Sequence, residues 1–349
     1  MNKSNRMNHM LIKGRTYERL FIPLSNKDLI KNALEIHRSP TIEGKIFLKA
    51  LKTKLLFNTL MRTTMQKNVE PKLFHDFNWN EWQNHALNDI DLDCGLVSYA
   101  LSQSDNRRFF ALIIDRNGIP KGFAKIALDE QSKELFKNES QALNKFEKEK
   151  NECFIVPKLL SSGSFGSSFY LIQEVIPTKA KFLSNIKDQR WIRTIDEISR
   201  KSIDKTRLRD CSWWWDIDKS NNTPKPLIEY LARNEEQEID ICNVHGDFTP
   251  GNILSVNDEC WVYDWEEFNP TAPALTDYLS FAIESIGKIK YLSLNRRARI
   301  IIRLMKKKTD LANTINLAAT MVYMATRRSC TINDQLSLAL HKIILEFRT

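Results

Sequence analysis

The stretch CNVHGDFTPGNILSVNDECWVYDWEEF, residues 242–268, sets an unusual group of polar residues among short apolar runs. His245-Gly246-Asp247 follows the run ICNV. Asn252 stands beyond Thr-Pro-Gly, and Asp264-Trp265-Glu266 closes a second strand-like run, CWVY. A core strand has no use for these acids and amides. Phosphoryl transfer does: it needs reactants held in line, a metal to neutralise charge, and a group to take the hydroxyl proton. Asp247, on a loop just after a strand, is placed to accept that proton. A turn over TPG can fold the Asn252 amide back toward the same cavity, and Asp264 ends the next strand with a carboxylate. Asn with Asp is a hard-oxygen pair suited to Mg²⁺, which usually keeps waters and phosphate oxygens as its other ligands.

HGDFTPGN followed by YDWEEF resembles the aminoglycoside phosphotransferase and choline kinase family, over residues from about 94 to 290. The resemblance implies an α+β, bilobal protein-kinase-like fold: a small antiparallel β lobe with one helix, then a larger, mostly helical C-terminal lobe. It implies Asp247 as catalytic base, Asn252 and Asp264 as magnesium ligands, and His245 with Gly246 shaping the catalytic loop. Asp277, in ALTDYLSF, would brace that loop. Lys125, in GFAKIAL, would grip the nucleotide phosphates, and Glu139, in KNESQAL, would pair with it. The backbone of Glu174 to Ile176, in QEVIP, would meet the adenine or guanine. Each role has a rival. Glu134 offers a second glutamate, Asp277 also suits a helix cap, and His245 suits loop packing better than metal ligation. Lys125 lies among the apolar Phe123, Ala124, Ile126 and Ala127, where a lone lysine snorkels or pairs.

Outward from the motif, three parts follow. Residues 88–177 read as a nucleotide-binding β lobe. CGLVSYALS, RRFFALIID and KGFAKIAL are strands joined by the turn residues SDN and DRNGIP. DEQSKELFKNESQALNKFEKEK is a helix, and FIVPKLL and SFYLIQEVI are strands across SSGSFGS. Residues 178–349 read as a helical catalytic and acceptor lobe, strand-like only within 242–268. Residues 1–87 read as a helical, basic extension. In IEGKIFLKALKTKLLFNTLM, Ile46, Phe47, Ala50, Leu51 and Leu55 recur at helical spacing. Packing on the main body is one reading of that helix, and a peripheral contact with an anionic membrane is its rival.

Two departures from the kinase pattern matter. The turn SQSDNRR has no glycine-rich loop, which leaves phosphate gripping to Ser, backbone N–H groups, Arg107 or Arg108. This motivates an alternative, a catalytically degenerate kinase-like nucleotide-binding module. The short interval from Asp264 to Asp277 has no room for an activation segment, and Gly246 stands where a phosphate-reading Arg would be. That favours a small-molecule kinase over a regulated protein kinase.

Composition bounds the partners. The 349 residues are 42% hydrophobic and 27% charged, as in a soluble globular protein of more than one core. A net charge of +9 favours anionic partners such as nucleotides, but no aromatic or zinc-knuckle pattern supports nucleic acid. The six Cys form no CxxC, so reduced thiols are expected rather than zinc. MNKSNRMNHMLIKGRTYERL is basic without a signal peptide's apolar core. A cytoplasmic location, or the inner face of a membrane, is therefore expected. The expected substrates are ATP or GTP, with Mg²⁺, and a small-molecule or glycan hydroxyl. The resemblance points to bacterial surface-polysaccharide synthesis. Trp213, Trp214 and Trp215, with Glu266, are candidates for the acceptor pocket, although a Trp run also anchors inserts. Asp216-Ile217-Asp218 is a weak DxD signal. The basic runs 295–308 and 325–329 suit solvated helix faces or an acidic acceptor.

Overall fold

The computed structural model describes residues 9–13, 19–23, 77–93, 95–101, 107–177, 179–200, 202–215, 217, 225–287, 289, 291–326 and 334–346. The chain divides into two compact units, Met1–Glu147 with Pro157–Lys179, and Lys148–Val156 with Ala180–Thr349.

The first unit is built on one antiparallel sheet. Its strands are β1 (His9–Lys13), β2 (Arg19–Pro23), β3 (Gly95–Leu101), β4 (Arg108–Asp115), β5 (Pro120–Ala127), β6 (Leu159–Phe165) and β7 (Ser168–Gln173), in the order β1-β2-β3-β4-β5-β7-β6. The run RFFALIID explains the layering. Strand side chains alternate between faces, and in β4 nearly all of them are buried, so both faces are covered. On one face Phe109, Ala111, Ile113, Ala124, Ile126, Tyr170 and Ile172 pack with Trp82, Ala86 and Leu87 of helix α1 (Trp79–Asp89). On the other, Ala127 and Leu171 pack with Phe136 of helix α2 (Glu130–Lys148). Asn78 caps α1: its side chain accepts from the Glu81 N–H at 3.2 Å and donates to the Glu81 carboxylate at 2.8 Å.

Three sequence expectations are corrected here. The extension is not all helix, because residues 9–13 and 19–23 pair as strands and β2 adds to β3. Pairing with an existing sheet edge is a tertiary event that local spacing does not reveal. The helix read around residues 46–55 lies outside the described residues. Residue 87 ends no domain, since α1 runs through it and buries Leu87 against the sheet. Finally, SSGSFGS is mostly strand: β6 takes Ser161, Ser162 and Ser164, and the turn is Gly166-Ser167, with Gly166 at φ +57°. As the edge strand, β6 tolerates polar residues. Phe154 to Val156 belong to the second unit, where Ile155 bridges Trp261.

The second unit carries two small sheets. One orders β13 (Asn269–Pro273), β10 (Glu238–Val244) and β9 (Asp204–Arg207); the other orders β12 (Glu259–Val262), β11 (Ile253–Val256) and β8 (Lys181–Phe182). The stretches that form β8, β9 and β13 were read as part of a helical lobe. DKTR is polar and NPTAP carries two prolines, and both are edge strands, where such residues are tolerated. The helices are α3 (Arg190–Arg200), α4 (Ser212–Trp215), α5 (Lys225–Ala232), α6 (Thr276–Gly287), α7 (Leu294–Lys308), α8 (Thr314–Thr326) and α9 (Asp334–Glu346). α6 and α8 are buried almost all round, which explains their apolar composition. Among the described residues, Cys153, Cys211, Cys242 and Cys260 are free thiols, and no helix is long and apolar enough to cross a membrane.

The packing of α1 is testable. Trp82 is wholly buried, so Trp82→Ala is expected to lower unfolding stability by about 3–5 kcal/mol, read from chemical denaturation. A loss within experimental error would show that α1 is a dispensable extension.

Candidate active site

The loop after β10 is fixed by one glycine and one buried acid. The β10–β13 register shifts between Cys242 and Val244, which re-aims the chain just before the loop. Gly246 then takes φ +88°, and a Cβ there would lie 2.2 Å from the Glu267 carbonyl oxygen. Only glycine fits. From α6, Asp277 accepts the His245 N–H at 2.7 Å and the Gly246 N–H at 2.9 Å, all within the core. Burial pushes the Asp277 carboxyl up to about 7, against the pull of those two donors. The His245 ring lies 4.6 Å from the Trp265 ring and meets the Tyr263 carbonyl oxygen through Nε2 at 2.9 Å. That position is loop packing.

Asp247 follows, half-buried. Asn252 Nδ2 donates to its carboxylate at 2.9 Å and to its backbone carbonyl at 2.9 Å. The turn between them closes on itself: the Thr249 N–H donates to Asp247 O and the Asn252 N–H to Thr249 O, both at 2.9 Å. Tyr263 clasps the same turn by donating its hydroxyl to Gly251 O. Asp264, beyond β12, adopts the left-handed conformation, φ 68° and ψ 56°, where a non-glycine residue stores strain that clusters at functional sites. Burial pushes the Asp247 carboxyl up to about 8. The carboxylates of Asp264, Glu267 and Glu284 add to the rise, and the Asn252 hydrogen bond opposes it. These crowded oxygens are hard donors, and their mutual repulsion is what a bound divalent cation would relieve, so the residues fit Mg²⁺.

In the first unit, Lys125 Nζ lies 2.7 Å from Glu139 Oε2, with both side chains buried. Alternation along β5 turns Lys125 to the α2 face. There Phe136, Glu139, Ala142, Leu143 and Phe146 form the buried stripe of the helix, and Lys125 also lies 5.6 Å from the centre of the Phe136 ring. Glu134 instead pairs at the surface with Lys137, at 2.7 Å. The Glu174 N–H donates to the Lys158 carbonyl at 2.8 Å. Ile176 is half-buried.

The tryptophans divide. Trp213 and Trp214 are buried, and Trp213 packs edge-on against Tyr323 of α8 with centroids 5.5 Å apart. They anchor α4, and the acceptor-pocket expectation does not hold for them, because core rings have no face to offer. Trp215 is 69% exposed, its indole N–H donating to Arg209 O at 2.7 Å. Glu266 is half-buried in the short turn after Asp264.

No family model matches the chain, and no curated protein matches it. Solved structures similar to it include the GDP complex of wild-type aminoglycoside 2'-phosphotransferase-IIIa. The identity is 12%, over 77% of this chain and 98% of that one, with a TM-score of 0.45. Amicoumacin kinase hAmiN in complex with AMP-PNP, Ca²⁺ and Ami is 9% identical, over 80% and 96%, with a TM-score of 0.44. Glucosamine kinase is 10% identical, over 73% and 87%, with a TM-score of 0.31. At such TM-scores these likenesses carry no residue role over to this chain.

The sequence reading missed Tyr263, Phe248 and Glu284. Phe248 is buried between His245 and Phe281, with ring centroids 5.9 and 6.0 Å away. Glu284 had a signal: it stands two helical turns after Asp277, which puts both acids on one face of α6.

Three variants test this chemistry by urea unfolding. Asp277→Ala orphans two buried N–H groups and is expected to cost at least about 2 kcal/mol. Lys125→Met leaves Glu139 buried without its cation, at about 3–5 kcal/mol, whereas Lys125→Met with Glu139→Leu is expected to recover most of that stability.

Proposed function

We propose that the chain is a phosphotransferase with an alcohol group as acceptor, moving the γ-phosphate of ATP or GTP to a hydroxyl of a small molecule or glycan. The observation that carries this reading is the 2.9 Å bond from Asn252 to the Asp247 carboxylate, on a loop whose path only Gly246 permits. In this reading the Asp247 carboxylate takes the acceptor's hydroxyl proton as its oxygen bonds to the γ-phosphorus and the bond to the β-phosphate oxygen breaks. A carboxyl raised to about 8 is near the range in which a general base works well. Asn252 Oδ1 and the Asp264 carboxylate would hold Mg²⁺, which supplies charge neutralisation at the phosphates when bound. Lys125, oriented by Glu139, would grip phosphate oxygens. The Glu174 carbonyl and the Ile176 backbone would meet the base. His245 and Asp277 act by holding the loop rather than by touching reactants. The exposed ring of Trp215 suits stacking on a sugar, which keeps a glycan acceptor, as in bacterial surface-polysaccharide synthesis, within the proposal.

The test is transfer of labelled γ-phosphate from ATP and GTP to a panel of sugars, oligosaccharides and amino alcohols. Asp247→Asn is expected to lower turnover by about 10²–10⁴-fold while the nucleotide still raises the melting temperature. Full activity in that variant would remove Asp247 from the role. A nucleotide-dependent melting shift without transfer to any acceptor or to water would favour the nucleotide-binding module instead.

A further inference from the structure

Helix α7 has the sequence LNRRARIIIRLMKKK, rich in cations and without an acid. Ser293 caps it, accepting from the Arg296 N–H at 3.4 Å. The helix packs on α6 and α9 and buries Ala298, Ile301, Ile302 and Met305. Arg296, Arg299, Ile300, Arg303, Lys306 and Lys307 are exposed. At ~100° per residue those six lie within an arc of about 120°, opposite the buried four. The orientation is locked from beneath. Arg297 turns inward, donating to Leu292 O at 2.8 Å and to Gly287 O at 2.7 Å, and Lys308 reaches Gln189 at 3.0 Å. Glu346 of α9 comes within 3.8 Å of Arg299, with both groups exposed, where an ion pair is worth little.

An ordinary solvated face mixes acids with bases. The helix dipole favours lysines in the last turn, which accounts for Lys306 and Lys307, but it disfavours a cation in the first turn, where Arg296 stands; Arg299 and Arg303 lie beyond its reach. Ile300 lies among these arginines, 36% exposed, and Tyr291, just before the helix, is 88% exposed. A cationic stripe about 17 Å long, with an aliphatic and a phenolic side chain beside it, matches a headgroup layer: charge meets phosphate, and the apolar groups enter the interface. We propose that this face of α7 docks on an anionic phospholipid bilayer, with the helix axis along the membrane plane.

The test is co-sedimentation of the full chain with vesicles of phosphatidylcholine alone, or of phosphatidylcholine with phosphatidylglycerol, at low and high salt. A short DNA duplex serves as a soluble polyanion. Binding is expected only with phosphatidylglycerol, and it should fall as salt shortens the screening length. Arg303→Glu with Lys307→Glu is expected to weaken partitioning at least about 30-fold. Lys150→Glu with Lys205→Glu, an equal charge change at exposed sites off this helix, should weaken it far less, and all the variants should melt as the parent does. Absence of binding to phosphatidylglycerol vesicles at low salt overturns the proposal. So does equal loss in the two double variants, or binding to the duplex without binding to vesicles.

Discussion

Two buried N–H groups, those of His245 and Gly246, end on the carboxylate of Asp277, and the geometry of the loop 245–252 depends on that junction. Once β10 leaves its ladder, these donors have no strand partner, and an orphaned pair in the core would cost several kcal/mol. A carboxylate from α6 satisfies both at once. That fixes where the chain turns, and the turn delivers Asp247 and, through the Thr249 bend, Asn252. Desolvation opposes the arrangement by pushing Asp277 toward its neutral form. The two charge-assisted hydrogen bonds offset this, so the brace stays geometrically specific although its net stabilisation is small.

The same reasoning applies to Lys125 and Glu139 in the other unit. A buried ion pair is weak evidence of stability, because an apolar pair of equal volume commonly does as well. Its presence in a stripe otherwise made of Phe136, Ala142, Leu143 and Phe146 therefore needs another reason. Presenting an ammonium in a fixed position is one, since Glu139 holds Nζ at 2.7 Å with little freedom left. In both units the costly groups are the ones for which the proposed chemistry has a use.

How far the sequence could be read depended on whether a residue's partner was local. The strands of 108–127, helix 130–148 and the 242–268 segment were legible because their periodicity and turn residues are self-contained. Glu139 separated from Glu134 only with the helix seen on its sheet, where one faces the core and the other pairs with Lys137. The strands at 9–13 and 19–23 were not legible, because a short apolar run becomes a strand only when an edge is there to receive it. The Trp213–Trp215 run stayed open between acceptor pocket and anchor for a related reason. Composition marks aromatic side chains, but only packing against Tyr323 decides which ring is core and which faces water.

Charge is laid out unevenly in the second unit, and this reconciles a +9 chain with a crowd of acids at its loop. Asp247, Asp264, Glu267 and Glu284 interact closely enough to raise Asp247, which is unfavourable unless a cation sits among them. The compensating positive charge is not placed beside them in sequence. Much of it lies on the outer face of α7, where Arg299 and Arg303 are solvated and cost little. A chain with both features keeps a local field that attracts a divalent ion and a global field that attracts anions. A metal–nucleotide complex, negative overall yet led by its cation, is attracted by both. The five cations on one arc of α7, Arg296, Arg299, Arg303, Lys306 and Lys307, add to that global field a surface on which a flat anionic partner can rest.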